Sequence, residues 1–261
     1  MGALRVFVYV VVAMMLLPVL ITLPVALTTS ARISFPPSGI GLRWFQAIGG
    51  DTILLDALGR SLWLAALSSL LAVVFALPCA FAVHRIAFPG RQAVEVFLTG
   101  PRMIPQIVFV MGMLLWFERL RLSETFTGLV IAHLVAALPF AFRTLLVGVA
   151  GLDRRLEWSS AVLGATGLRT FLRVVLPQLK TGLIAAGIFA FVMSFNNVTL
   201  ALFLSGIGQR TLPVEMFTRM YVGGMTPAIP AIAFLLALAG LLVFLVLDRT
   251  VGVYRYLAGQ G

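Results

Sequence analysis

Reactive side chains are scarce in this sequence. It holds nine acidic residues, two histidines and a single cysteine. The acids, Asp153 and Glu157 among them, are scattered through polar stretches and form no acid–base pair. No spacing of His, Cys, Asp or Glu suits a metal, and no nucleophile stands beside a base. Cys79 stands alone, which excludes an intrachain disulfide and a cysteine-cluster metal site. The polar chemistry that remains lies in two places. The first is Ser194, Asn196, Asn197 and Thr199, together with His133 upstream, all inside apolar stretches. An amide buried without a partner is costly, so Asn196 and Asn197 face either a neighbouring helix or a wet pathway. His133 reads as a helix–helix hydrogen-bonding group or as a substrate or proton site. The second place is Leu156-Glu157-Trp158-Ser159-Ser160-Ala161-Val162-Leu163-Gly164, followed twelve residues after the glycine by Leu176-Pro177. A polar, arginine-bearing segment between very apolar ones is a natural dock for a soluble partner.

The elements that position these residues follow from composition. The chain has 261 residues, 61% hydrophobic and 11% charged, with a mean hydropathy of +1.08. A soluble domain carries about twice that charge. The sequence therefore reads as an all-α polytopic membrane protein, and soluble-enzyme classes are set aside. Apolar stretches predict six helices, at roughly 6–28, 57–83, 102–117, 126–147, 182–205 and 228–247. Pro78 and Pro139 are expected to kink two of them. The first stretch, with Arg5 before it, is longer than the apolar core of a signal peptide and reads as an uncleaved span.

The net charge of +10 comes from eighteen arginines and Lys180. These sit mainly in loops, so they report topology rather than nucleic-acid binding. Six spans put 12 of the 19 basic residues on the side of the termini: Arg5, Arg85, Arg91, Arg102, Arg143, Arg154, Arg155, Arg169, Arg173, Lys180, Arg249 and Arg255. That side is expected to be cytoplasmic, with both termini on it. On this reading residues 1–56 hold the first span and an outer loop, 57–250 the permeating core, and 251–261 a cytoplasmic tail. The outer loop's Arg43-Trp44-Phe45 suits an interfacial anchor or a landing surface for an external partner.

Within residues 153–180, Asp153 is a plausible N-cap and Glu157 suits the positive end of a helix. Leu156, Ser160, Leu163 and Gly164 can share one face. Gly164 offers a left-handed stop, and a second helix from Leu168 is expected to end at Pro177.

This segment resembles the cytoplasmic EAA loop of permease subunits of ABC importers with the MetI-like fold. Gly164 and Leu176-Pro177 keep that loop's spacing. Trp158-Ser159-Ser160 stand where Glu-Ala-Ala is expected, Glu157 falls one residue early, and Thr181 replaces a following proline. The resemblance extends over roughly residues 55–250 and is nearest to the second permease subunit of spermidine/putrescine importers. It is carried by Phe88-Pro89-Gly90-Arg91, Pro101-Arg102-Met103-Ile104-Pro105, His133 with Leu138-Pro139-Phe140, Ser194-Phe195-Asn196-Asn197-Val198, Phe203-Leu204-Ser205-Gly206 and Leu212-Pro213.

The resemblance implies a six-span MetI-like permease in the bacterial inner membrane, forming half of a pathway. It implies a second permease in a heterodimer, two cytoplasmic ATPases that bind the ATP, and an external substrate-binding protein. No cofactor, metal or nucleic acid enters this reading, and the chain has no phosphate-binding Gly-x-x-x-x-Gly-Lys loop of its own. The ATPase-coupling residues would be Glu157, Trp158, Ser159, Ser160, Gly164, Leu176 and Pro177. Ser194, Asn196, Asn197, Thr199 and His133 would be pathway candidates. The solute implied is a polyamine or a related small amine-containing compound. Yet Asn196 and Asn197 are amides where that group often carries acids. Importers of an amino-acid derivative, an organophosphonate or iron remain alternatives, as does a stand-alone secondary transporter or channel.

Overall fold

The computed structural model describes residues 2–206 and 208–251. The tail assigned to 251–261, Arg255 included, lies outside the described residues apart from the backbone of Val251. Thirteen α-helices follow one another: α1 (Gly2–Ala26), α2 (Arg43–Gly49), α3 (Thr52–Arg85), α4 (Arg91–Thr99), α5 (Gln106–Leu120), α6 (Phe126–Ala150), α7 (Arg154–Val162), α8 (Gly167–Thr170), α9 (Leu176–Gln178), α10 (Lys180–Phe195), α11 (Val198–Leu204), α12 (Leu212–Tyr221) and α13 (Ala228–Val251). A 3-10 turn, Gly100–Met103, continues α4, and a π-helical turn, Phe171–Val175, joins α8 to α9.

Among the described residues, four helices are long and apolar enough to cross a membrane, over Leu4–Ala26, Thr52–Arg85, Phe126–Ala150 and Ala228–Arg249. Two bent pairs raise the number to as many as six if each is one span. Four of the predicted helices appear as continuous elements with longer or shifted ends. Pro78 and Pro139 lie inside unbroken α3 and α6.

The other two predicted helices are corrected. The stretch 102–117 is not one helix, because the chain bends by 103° between Met103 and Gln106. Ile104 is extended there, as a residue before proline must be, and α5 starts only after Pro105. The stretch 182–205 breaks at Asn196-Asn197, because Asn197 uses its side chain to cap a new helix, accepting from Leu200 N at 3.0 Å. The expected end at Pro177 is also displaced. Proline is tolerated in the first turn of α9, and the 68° bend falls at Leu179. The π-helical turn just before it is where the hydrogen-bond register shifts to admit that proline.

The chain divides into two compact units. One comprises residues 1–58 and 214–249. In it α1 is exposed from Leu4 to Ile21, as an apolar helix against lipid would be, and its end is buried at Val25 and Ala26. Phe45 of α2 meets Phe234 of α13 edge-on at 6.5 Å. Asp51 caps α3 through Leu54 N at 3.0 Å and receives two guanidinium hydrogen bonds from Arg219. Arg219 also donates to Glu215 at 2.8 Å. These bonds to Arg219 hold the Asp51 carboxyl below its usual range and push the guanidinium up.

The other unit, 59–213 among the described residues, holds α4–α11 and most of α3. Its core pairs small residues with large ones. Ala72, Ala76, Ala80 and Val83 run down one face of α3, opposed by Ala137, Ala141, Phe142, Leu145 and Val149 of α6 and by Ala186 and Ala190 of α10. Without a hydrophobic force between helices in lipid, such small side chains let backbones approach closely and gain dispersion contacts.

Candidate coupling loop and translocation cavity

The polar segment is built as a clamp with an outward apolar edge. Asp153 caps α7 by accepting from Arg155 N at 2.9 Å. Glu157, in the first turn, pairs with Arg85 at the end of α3 at 2.9 Å. Arg85 also donates to the Leu152 carbonyl at 3.3 Å, so one guanidinium holds both the entry to α7 and its first turn. Gly164 takes the left-handed conformation, φ +80°, and turns the chain back. Ser160 then meets Thr170 of α8 at 2.7 Å and closes α7 onto the returning helix. Phe171 stacks edge-on against Phe81 of α3 at 5.6 Å, and Val175 and Leu179 join the core.

Beside the exposed Arg154, Arg155 and Arg169, several apolar side chains are left outside. Leu156, Trp158, Val162, Leu163 and Leu168 are exposed, Val162 and Leu163 at 88% and 87%. The expected shared face of Leu156, Ser160, Leu163 and Gly164 is therefore not a buried one. Of these, Ser160 alone faces the returning helix. Leu176 and Pro177 belong to α9 and carry the chain towards the buried Leu179. Ser159 bonds back to the Arg155 carbonyl within α7 at 2.8 Å.

The pathway candidates separate into two groups. His133 and Ser194 are buried, their side chains 2.9 Å apart, and Ser194 meets Ser68 of α3 at 2.9 Å. Three helices are thus tied by one hydrogen-bonded trio inside the core. Asn197 belongs elsewhere. It accepts from Gln106 Nε2 at 2.8 Å, so the breaks at the start of α5 and between α10 and α11 meet through their amides. A cavity of about 210 Å³ opens beside this bond, lined by both amides, Pro101, Arg102, Ile104, Phe109, Ala136, Phe140, Met193 and Leu200. Asn196 is exposed and Thr199 half-buried, and neither lines the cavity.

Sequence reasoning missed Gln106, Ser68 and the part played by Arg85. It also counted Arg102 among loop charges. The structure places Arg102 at the 103° bend, its guanidinium 4.4 Å from the Phe140 ring centroid, midway along α6. The prolines flanking Arg102 and Gln106 were the available signal. A polar residue beside a proline break inside an apolar stretch marks backbone that lines a cavity.

The family described as the binding-protein-dependent transport system inner membrane component matches residues 72–254. The chain belongs to that family. It is a permease subunit of an ABC importer and a multi-pass protein of the inner membrane. Among its relatives, the spermidine/putrescine transport system permease protein PotC of Haemophilus influenzae is 26% identical over 90% of this chain and 91% of that protein. The putrescine transport system permease protein PotI of Escherichia coli is 27% identical over 76% and 73%. A putative ABC transporter permease protein of Streptomyces antibioticus is 31% identical over 74% of this chain and 85% of its own length. The fold is that of a bacterial ABC transporter involved in the import of alginate, with a TM-score of 0.75, 15% identity and 95% of both chains covered. The MetNI methionine transporter shares it at a TM-score of 0.61 and 19% identity, over 76% of this chain and 94% of that one. Membership implies work alongside separate ATPase subunits and a substrate-binding protein.

Proposed function

We propose that this permease forms half of a translocation pathway with a second, non-identical permease, and that the 153–180 segment is where an ATPase pushes on it. With six spans, each bent pair counted as one, the bias of basic residues supports a cytoplasmic side for both termini and this segment. The observation that carries the docking role is the exposed apolar edge of Trp158, Val162 and Leu163 on a helix clamped to α3 by Glu157 and Arg85. Exposed apolar residues on a rigid cytoplasmic helix fit a partner's groove, and the clamp would pass a rigid-body push into α3.

The solute is a small amine-containing compound, the class named for the PotC and PotI relatives. A second reading, an amino-acid derivative or an organophosphonate, is favoured by the single charged residue of the cavity, which is a cation, Arg102. The test of the permease reading is partner dependence. Purified alone into liposomes, the chain should move no solute, and ATP-driven uptake should appear only with the partner permease, ATPase and binding protein. Uptake by the lone chain driven by an ion gradient overturns it.

A further inference from the structure

We propose that the cavity beside Asn197 is a passage site for an oxyanion, so that the conducted solute carries a carboxylate or phosphonate as well as its amine. This rests on the permease reading above and sharpens its substrate. Ten residues line the cavity; Arg102 is the only charged one and none is acidic. Two cations of this unit, Arg85 and Arg143, pair with Glu157 and Glu95, whereas among the described residues no carboxylate pairs with Arg102. The contrast with Arg143 is direct, since Glu95 meets that cation at 2.9 Å while Arg102 has the Phe140 ring face. Arg102 is exposed at the bend, and a ring face offsets only part of the cost of holding its charge beside an apolar wall. An oxyanion in transit would offset more, because the guanidinium fork matches two carboxylate or phosphonate oxygens at once.

The amides complete the chemistry. Leu200 N donates to Asn197 Oδ1 at 3.0 Å, which fixes the orientation of that amide, and Gln106 Nε2 donates to the same oxygen at 2.8 Å. With Oδ1 doubly engaged, Asn197 offers the cavity its Nδ2 donors, and Gln106 keeps a second N–H for an anion and its Oε1 for an ammonium. Phe109, Phe140, Met193 and Leu200 make the rest of the wall apolar, so these are the polar groups a solute meets on this wall. A bare polyamine meets the reverse arrangement, a like charge at Arg102 and no carboxylate.

The assembled importer, with its own partner permease, ATPase and binding protein in proteoliposomes, tests this with labelled spermidine, γ-aminobutyrate and 2-aminoethylphosphonate. ATP-driven uptake of the carboxylate or the phosphonate probe is expected, and the preferred one identifies the oxyanion. That uptake should fall about tenfold or more in R102Q and R102E and be partly kept in R102K, whose ammonium retains charge but not the fork. Co-purification of the ATPase reports that each variant folds. Spermidine as the preferred probe, uptake undiminished by R102E, or uptake of none of the three overturns the oxyanion site and leaves the permease reading standing. Loss of ATPase co-purification by the wild-type chain overturns the permease reading instead.

Discussion

The proposed coupling loop and the proposed translocation cavity are built in opposite ways. The loop is local in sequence: Asp153, Ser160, Gly164 and Thr170 make its turn within eighteen residues, and one distant residue, Arg85, clamps it. It leaves the apolar side chains of Trp158, Val162, Leu163 and Leu168 outside. The cavity is assembled from three distant stretches, around residues 101–109, 136–140 and 193–200, and turns its polar groups inward. The difference teaches that a site meant for another protein can be written as one helix–turn–helix with an unpartnered edge. A site meant for a solute needs backbone breaks in two helices that meet, because an unbroken transmembrane helix has no free polar backbone to offer.

Four substitutions sharpen or break this comparison. The largest effect is expected from Gly164→Leu. Nothing lies within 4 Å of an added Cβ, so space is not the obstacle. The left-handed φ of +80° is, at about 1–2 kcal/mol for a residue with a branched side chain. Because the turn sets where Trp158 and Leu163 point, ATP-driven uptake should be lost while membrane insertion is kept. Normal uptake in this variant would separate the loop's shape from its role.

Asn197→Ala comes next. It removes a helix cap, worth about 1 kcal/mol, and the acceptor for Gln106. Uptake or its selectivity should change severalfold with assembly intact. Asn196→Ala, at an exposed position, should stay within about 0.5 kcal/mol and leave uptake near wild type. Equal effects of the two, measured by uptake and thermal unfolding in detergent, would remove the distinction drawn between them.

The smallest effect belongs to the clamp. Glu157→Gln should lower stability by about 1 kcal/mol, since the pair is only partly screened, with side chains 29% and 12% exposed. A drop of a few degrees in melting temperature, with weaker ATPase retention, is expected. If ATPase retention falls to nothing at unchanged melting temperature, Glu157 contacts the partner and not chiefly Arg85.

The legibility of the two regions follows from the same contrast. The N-cap at Asp153 and the left-handed Gly164 are visible in sequence, because caps and turns depend on residues a few positions apart. The bends were not. Predicting one helix over 182–205 ignored that Asn197 can turn its amide on its own backbone, and predicting a helix from residue 102 ignored the extended conformation that Pro105 imposes on Ile104. His133, Ser194 and Asn197 were grouped as polar residues inside apolar stretches. Ser194, in the last turn of α10, faces the core with Ser68, while the break three residues on turns Asn197 into the cavity.

By itself, the sequence determined that this chain lies in a membrane, that it is helical, and that a short polar segment with a glycine and a Leu-Pro pair interrupts its apolar stretches. Those properties are sums over local composition or depend on near neighbours. Only the tertiary structure decided that Glu157 is held by Arg85, that Gln106 meets Asn197, and that Arg102 stands over Phe140 at a helix bend rather than in a loop. Each of these pairs joins residues between 38 and 91 positions apart. Which partner such a side chain finds is set by how the helices break and pack, and no spacing in the chain records that.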